Sequence, residues 1–342
     1  MLETRKITGK RLEGREEALL DRIAKIASHV GIQNSGLRLG VGDDAALFKG
    51  SAGSVQILTC DWFLEGTHFL RDRHPADAVG WKCLARAVSD IAAMGGVPRC
   101  FLLSLALPAT HAASWLDQFL RGLRRAAKRF GCTLAGGDTT RRQDVLINVT
   151  VVGEVRRGRA VLRSGARPGD VVFVSGRLGE AELGLKVLRK SKGLANSRDP
   201  VLRKHLYPEP RLALGRWLAE KRLASAMMDL SDGLSSDLPR LCAASRVGAR
   251  VEVAKIPEAR VPEGRQTRGD DPQNLALHGG DDYELLFTVP RRKLKHIPRS
   301  FRGISISAIG EITKKRTILL VNASEREAPL PNRGWDPFRK HR

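Results

Sequence analysis

The segment RRGRAVLRSGARPGD, Arg156 to Asp170, is basic, punctuated by glycine and proline, and lies near the middle of a 342-residue chain. Such composition marks a junction rather than a helix or a strand. A chain of this length also exceeds what one hydrophobic core usually holds. Two domains are therefore expected, residues 1–158 and residues 159–342.

Upstream, Leu19, Leu20, Ile23, Ile26, Ala27 and Val30 recur at helical spacing and stop at Gly31, which predicts a first helix. Val55 to Phe63 reads as a strand. Ala76 to Met94 reads as a helix with Trp81, Leu84, Ala85, Val88 and Ile91 on its buried stripe. Phe101 to Leu107 is an expected strand, Trp115 to Phe130 an amphipathic helix, and the β-branched run Val145 to Val155 another strand. Downstream, strands are expected at Val171 to Val174, Ala249 to Val253, Tyr283 to Val289 and Ile304 to Ile312. Helices are expected at Gly179 to Leu188, Leu212 to Lys221 and Leu238 to Arg246, the last with Pro239 in its first turn. Glu258 to Gln273 reads as a polar surface loop. A faint echo links the halves: a Gly-Gly-Asp turn (Gly136 to Asp138; Gly279 to Asp281), a strand, then Gly-Glu-Val at 153 or Gly-Glu-Ile at 310. This order gives an α+β or mixed α/β class.

Apolar residues at 42% and charged residues at 28% describe a globular chain rather than a disordered one. No apolar run approaches the ~20 residues of a membrane span, and the charged first residues, MLETRKITGKRLEGREE, argue against a secretory leader. The five cysteines are scattered and form no C-x-x-C pair, which points to a reducing cytoplasm. The net charge of +22 would attract any polyanion. The basic residues are spread along the whole chain, however, and aromatics are only 5%, so neither specific nucleic-acid binding nor a membrane partner is expected.

In so basic a chain the acidic residues set among glycines and apolar strands stand out. They are Asp43 and Asp44 in GDDAAL, Asp61 after Ile57-Leu58-Thr59-Cys60, Asp90 in a helix, Asp138 after a glycine pair, Asp229 and Asp232 around Leu230-Ser231, and Asp281 and Asp282. Each alone has a bland explanation: Asp43-Asp44 a turn, Asp90 a partner for Arg86 one helical turn back. Together they repel unless a cation neutralises them, and hard divalent ions with oxygen ligands, Mg²⁺ shared with phosphates above all, are the usual answer. The P-loop, the dinucleotide-binding glycine motif, the protein-kinase signatures, the Gly-x-Ser-x-Gly elbow and His-Glu-x-x-His are all absent from the sequence. The residues thus point to phosphate chemistry on carboxylate-held Mg²⁺.

From Gly42 to Phe338 the motifs GDDAAL, TCDWFLEGTHF, ARAVSDIAAMGG, GGDTTR, RSGARPGD, MDLSDGLSSDL, GGDDYELLFTV and GWDPF, in this order, resemble those of the thiamine-monophosphate kinases. Their wider family includes aminoimidazole ribonucleotide synthetase, selenophosphate synthetase and a hydrogenase-maturation protein. The resemblance implies a two-domain aminoimidazole ribonucleotide synthetase-like fold, an N-terminal ATP/Mg²⁺-binding and dimerisation domain, and a C-terminal domain completing the active site. It implies a homodimer with N-terminal strands paired across it. The implied reaction is ATP-dependent phosphorylation of thiamine monophosphate by direct in-line transfer. Mg²⁺ ligands would fall on Asp44, Thr59, Cys60, Asp61, Asp90, Asp138, Asp229 and Asp232; ATP contacts on Gly137, Asp138, Arg163 and Ser231; and thiamine-phosphate contacts on His68, Asp281 and Trp335. Asp61, Asp138 and Arg163 would carry catalysis. On residue type alone His68 is equally a surface histidine, Trp335 a cap on a core edge, Arg163 part of the basic junction, and Tyr283 and Glu284 strand residues. Two positions depart from the family pattern: Cys60 replaces a hydroxyl residue, and Asp281 replaces glutamate. The selenophosphate-synthetase and hydrogenase-maturation branches would need a reactive cysteine near a terminus, whereas the cysteines here run only from Cys60 to Cys242. EGTHF and GWDPF separate the chain from the aminoimidazole ribonucleotide synthetases.

Overall fold

The computed structural model describes residues 37–39, 43–50, 52–111, 114–261 and 271–338. The helix expected at Leu19 to Gly31 lies outside the described residues, as do Gly42 and residues 262–270 of the expected surface loop.

The first sheet has six strands: β1 (Leu37–Leu39), β2 (Ala46–Lys49), β3 (Ser54–Leu64), β4 (Val97–Leu107), β5 (Thr133–Arg141) and β6 (Leu146–Arg156), in the order β1-β2-β3-β6-β4-β5. The β4–β5 pair is parallel and the rest are antiparallel. Helices α1 (Ala76–Ala93) and α2 (Ser114–Phe130) follow β3 and β4 in the chain. They cross closely because neither has a side chain at the contact: a Cβ on Gly80 would lie 2.0 Å from the Phe119 carbonyl oxygen, and one on Gly122 1.8 Å from that of Asp77. Leu84, Val88 and Ile91 of α1 form one core with Ile57, Phe63, Ile147, Val149 and Val151 of the sheet.

The second sheet runs β14 (Glu327–Pro329), β13 (Ile318–Val321), β9 (Gly248–Glu252), β12 (Ile304–Thr313), β7 (Val171–Ser175), β10 (Glu284–Val289), β8 (Ala226–Leu230), with β11 (Ser300–Phe301) paired to β12. Five helices accompany it: α3 (Glu180–Lys190), α4 (Pro200–Leu206), α5 (Leu212–Glu220), α6 (Leu234–Ser245) and α7 (Pro272–His278). Ala93 of α1 packs into a core with Leu214 and Leu218 of α5 and Met227 of β8. Helix α1 is therefore the shared wall of the two domains.

The junction is not a free linker. Leu162 accepts a hydrogen bond from Met227 N–H at 3.1 Å, and the Arg163 backbone N–H donates to Asp43 Oδ2 at 3.0 Å. The Arg163 side chain faces carboxylates carried by both sheets, Asp44 before β2 and Asp229 on β8.

Most expected elements appear within a few residues. Two readings need correction. The expected turn at Gly136-Gly137-Asp138 is part of strand β5; a Cβ on Gly137 would meet the Leu103 carbonyl oxygen at 1.8 Å, so the glycine permits strand approach rather than a turn. Helix α6 starts at Leu234, which leaves Pro239 inside it rather than in its first turn. Strands β1, β2, β5, β8, β11, β13 and β14 and helices α4 and α7 were not foreseen, most of them being short runs without a clear period.

Candidate active site

Asp44, Asp90 and Asp229 come from a loop before β2, from α1 and from β8, and a ligand oxygen from each lies within 4.8 Å of the others. Burial pushes the Asp90 carboxyl well above its usual range, and Asp61, Asp229 and Asp44 push it further. Burial followed by the charge of Asp44 raises Asp229 to about 7. Asp44 Oδ2 is buried with no hydrogen-bond partner among the described residues. Three hard oxygen donors, an unpaired lone pair and surplus negative charge suit a divalent cation such as Mg²⁺.

The remaining candidates group around this cluster. Thr59 Oγ1–H donates to Asp90 Oδ2. Strand alternation puts Thr59 and Asp61 on the inward side of β3 with Ile57 and Phe63, and Cys60 on the opposite, exposed side. There the Cys60 sulfur meets Asn148 Nδ2 at 3.2 Å. The Cys60 side chain therefore does not join the cluster, which leaves its backbone carbonyl as the group that could serve as a ligand. Asp232 pairs with Arg240, which also holds Asp237 Oδ1 at 3.0 Å. Arg163 closes on Asp44 through its guanidinium. Gly137 and Asp138 stand on the exposed strand β5, where Asp138 Oδ1 accepts the Thr139 N–H at 2.9 Å; they are outside the Asp44-Asp90-Asp229 group.

Beside the cluster opens a cavity of about 580 Å³ lined by His68, Arg86, Ser231, Asp232, Asp281 and Trp335 among others. His68, Asp281 and Trp335, spread over most of the chain, thus reach one wall system. His68 Nδ1 accepts the Leu64 N–H at 3.0 Å, and burial followed by the Arg86 charge lowers its pKa to about 4. It is a neutral imidazole with its proton on Nε2. Trp335 is fastened by its backbone N–H, 2.9 Å from the Asp232 carbonyl.

Asp281 has φ +66°, a left-handed conformation uncommon for a non-glycine residue. Lys82 Nζ donates to its Oδ2 at 2.8 Å and the Tyr283 hydroxyl to its Oδ1 at 2.7 Å. Burial opposes ionisation, but Lys82 and Arg86 outweigh it and hold the carboxyl well below the usual range. Lys82 is itself only 1% exposed and lies 3.2 Å from His205 Nδ1, whose Nε2 lies 3.0 Å from His74 Nε2.

Lys82, Arg86, Tyr283 and His205 belong to the site and were not foreseen there. One signal existed: Lys82, Arg86 and Asp90 recur every four residues in a helix whose other positions are mostly apolar. That spacing lines them on one face. The Arg86–Asp90 pair, the bland alternative for Asp90, is absent among the described contacts; Arg86 reaches Asp61 and Asp281 instead.

The chain is similar to known proteins over most of its length. Residues 42–155 match the N-terminal domain, and residues 167–321 the C-terminal domain, of AIR synthase related proteins. Thiamine-monophosphate kinase of Bacillus subtilis is 33% identical over 90% of this chain and 96% of its own. That of Escherichia coli K12 is 35% identical over 92% and 97%. The structure of AaThiL complexed with AMPPCP and TMP superposes with a TM-score of 0.80 at 31% identity, covering 97% of this chain and 99% of that one. Hydrogenase maturation protein HypE shares the fold, at 20% identity and a TM-score of 0.66. Among the described residues no helix is long and apolar enough to cross a membrane. With matching domains in matching order and full-length identity above 30%, the chain belongs to the thiamine-monophosphate kinase family of AIR synthase related proteins.

Proposed function

We propose that this chain transfers the γ-phosphoryl group of ATP to thiamine monophosphate, giving thiamine diphosphate and ADP. The observation that carries the reading is the adjacency of the aspartate cluster to one cavity in which His68, Asp281 and Trp335 converge. The ionised Asp281 suits a cationic thiazolium or an aminopyrimidine, neutral His68 offers an N–H donor, and Trp335 offers a flat face to a ring. The acceptor phosphate has a second pKa of ~6, so its oxygen is already anionic near neutral pH. No general base is needed, and in-line transfer without a phosphoenzyme reduces to positioning and charge neutralisation. Asp44, Asp90 and Asp229 would hold Mg²⁺, with Thr59, Asp61 and Asp232 around them. When bound, the ion neutralises phosphate charge. Arg163 and Ser231 would meet the nucleotide, with Asp138 and Gly137 from strand β5.

A coupled assay of ADP release tests the reading. Release that depends on thiamine monophosphate is expected, and silence with this substrate overturns it.

We also propose a homodimer built on the outer face of the first sheet. Trp62 on β3 is 54% exposed, Leu102 on β4 44%, and every residue of edge strand β5 is exposed. Such a face and open edge invite a second copy. Light scattering should give twice the chain mass of 37.5 kDa at micromolar concentration; the monomer mass would refute this. Five unpaired cysteines accord with an enzyme of the reducing cytoplasm.

A further inference from the structure

We propose that Arg86 is a catalytic residue which grips the acceptor phosphate of thiamine monophosphate and the phosphoryl group arriving on it. The proposal rests on the kinase reading above and adds a residue to it. Arg86 stands between the two halves of the site. Its Nη2 is 4.0 Å from Asp61 Oδ1, on the side of the aspartate cluster, and its Nη1 is 3.7 Å from Asp281 Oδ1, on the side of the cavity. Both separations exceed hydrogen-bond length. Its Nε is buried without a partner, its side chain is 20% exposed, and it lines the cavity. Phe63 supports the guanidinium from below, 5.8 Å from ring centroid to carbon.

Three further cations flank this seam, and each donates to a carboxylate. Lys82 bonds Asp281 and His205, Arg240 bonds Asp232 and Asp237, and the Arg163 guanidinium bonds Asp44, although its Nε, like that of Arg86, is buried without a partner. Both oxygens of Asp281 already accept a hydrogen bond, from Lys82 and from Tyr283, so Arg86 acts on it through charge alone. A partly exposed guanidinium whose buried Nε has no partner, and whose Nη atoms lie 3.7 and 4.0 Å from the flanking carboxylates, is costly unless a ligand completes it. Its planar fork matches phosphate oxygens in pairs.

The chemistry calls for a cation at this point. Two anionic phosphates must approach one another. One P–O bond forms between an acceptor-phosphate oxygen and the γ-phosphorus, the bond from that phosphorus to the β–γ bridging oxygen breaks, and ADP departs with the electron pair. Arg86 keeps its proton throughout and supplies charge and alignment. Lys186 and Arg189 line the cavity from α3, so the placement of the phosphate can be tested between two walls.

The experiment compares the full-length chain with R86Q, R86K, K186Q and R189Q. Calorimetric titration with thiamine monophosphate and with unphosphorylated thiamine accompanies steady-state ADP release. R86Q should bind thiamine as the parent does, lose the preference for the phosphorylated ligand, and fall at least about a hundredfold in turnover. R86K restores charge without the fork and should recover only part of both. An R86Q protein that keeps the parent's preference and turns over within about threefold of it overturns the proposal. So does loss of the preference in K186Q or R189Q but not in R86Q. Should R86Q fail to fold, R86K decides: a tenfold fall in turnover with unchanged thiamine binding supports the proposal, and parental values refute it. If the parent chain releases no ADP with thiamine monophosphate, the kinase reading fails by itself. Pyrophosphate affinity then decides for Arg86, supporting the assignment if R86Q lowers it tenfold and refuting it if the affinity is unchanged.

Discussion

Asp90→Asn is expected to cut turnover by about a hundredfold or more while leaving the fold intact, because a neutral amide supplies no charge to a bound cation. The site explains why the two effects separate. Without metal the Asp90 carboxyl is already driven toward its protonated form by burial and by Asp61, Asp229 and Asp44, so an isosteric neutral side chain removes repulsion. The metal-free variant should therefore melt no lower than its parent. The same electrostatics set a pH dependence. A folded-state pKa of about 7 on Asp229, above its ordinary 3.8, means that the metal-free protein gains stability as pH falls through 7 toward 4 and loses it as pH rises. Mg²⁺ competes with those protons, so the rise in melting temperature on adding Mg²⁺ should be larger at pH 8 than at pH 6. Asp90→Asn should shrink that rise at both. Near-parental turnover with an undiminished Mg²⁺ response would remove Asp90 from the site.

Glu284→Leu should destabilise the protein by about 3–5 kcal/mol, a large part of the roughly 5–15 kcal/mol typical of a folded protein. Glu284 is fully buried. Its carboxylate accepts from Ser175 Oγ and from Arg211 Nε, each at 2.6 Å, and from Lys204 Nζ at 3.1 Å. Burial opposes the charge, yet Arg211 and Lys204 prevail and lower the pKa to about 2. The pair's contribution is thus complete above the ordinary 4.5 and is lost as pH falls through about 2. Removing the carboxylate alone strands Arg211, whose side chain is 11% exposed. The double variant Glu284→Leu/Arg211→Leu should recover most of the loss, since an apolar pair replaces an ionic one without leaving a charge behind. Urea denaturation of the three proteins measures this, and a single variant within 1 kcal/mol of its parent would show that Arg211 finds solvent.

Much of the site was legible because burying a carboxylate among apolar residues is costly wherever it happens. Asp44, Asp90 and Asp229 were each visible as a charge in an apolar setting, and they do meet. The strands and helices that carry them follow local periodicity, which the side chains alone dictate. Other features depend on which face a neighbour covers. Cys60 lies beside two inward residues, but only the packing of the sheet turns its sulfur outward to Asn148. Gly136 and Gly137 carry turn chemistry, yet pairing with β4 draws them into a strand, where the missing Cβ leaves room for the Leu103 carbonyl.

The order of charged and apolar residues by itself determined the two-domain α/β organisation, the acidic character of the centre and the family of the chain, since these rest on composition, local period and motif order. Only the tertiary structure decided which cations answer which aspartates. Lys82, Arg86 and Asp90 share a helix face, but burial sent Lys82 and Arg86 toward Asp281, 199 and 195 positions away, rather than to a neighbour one turn along. In a packed cleft a buried charge takes the partner that shares its low-dielectric surroundings, and nearness in sequence does not reveal which one that is.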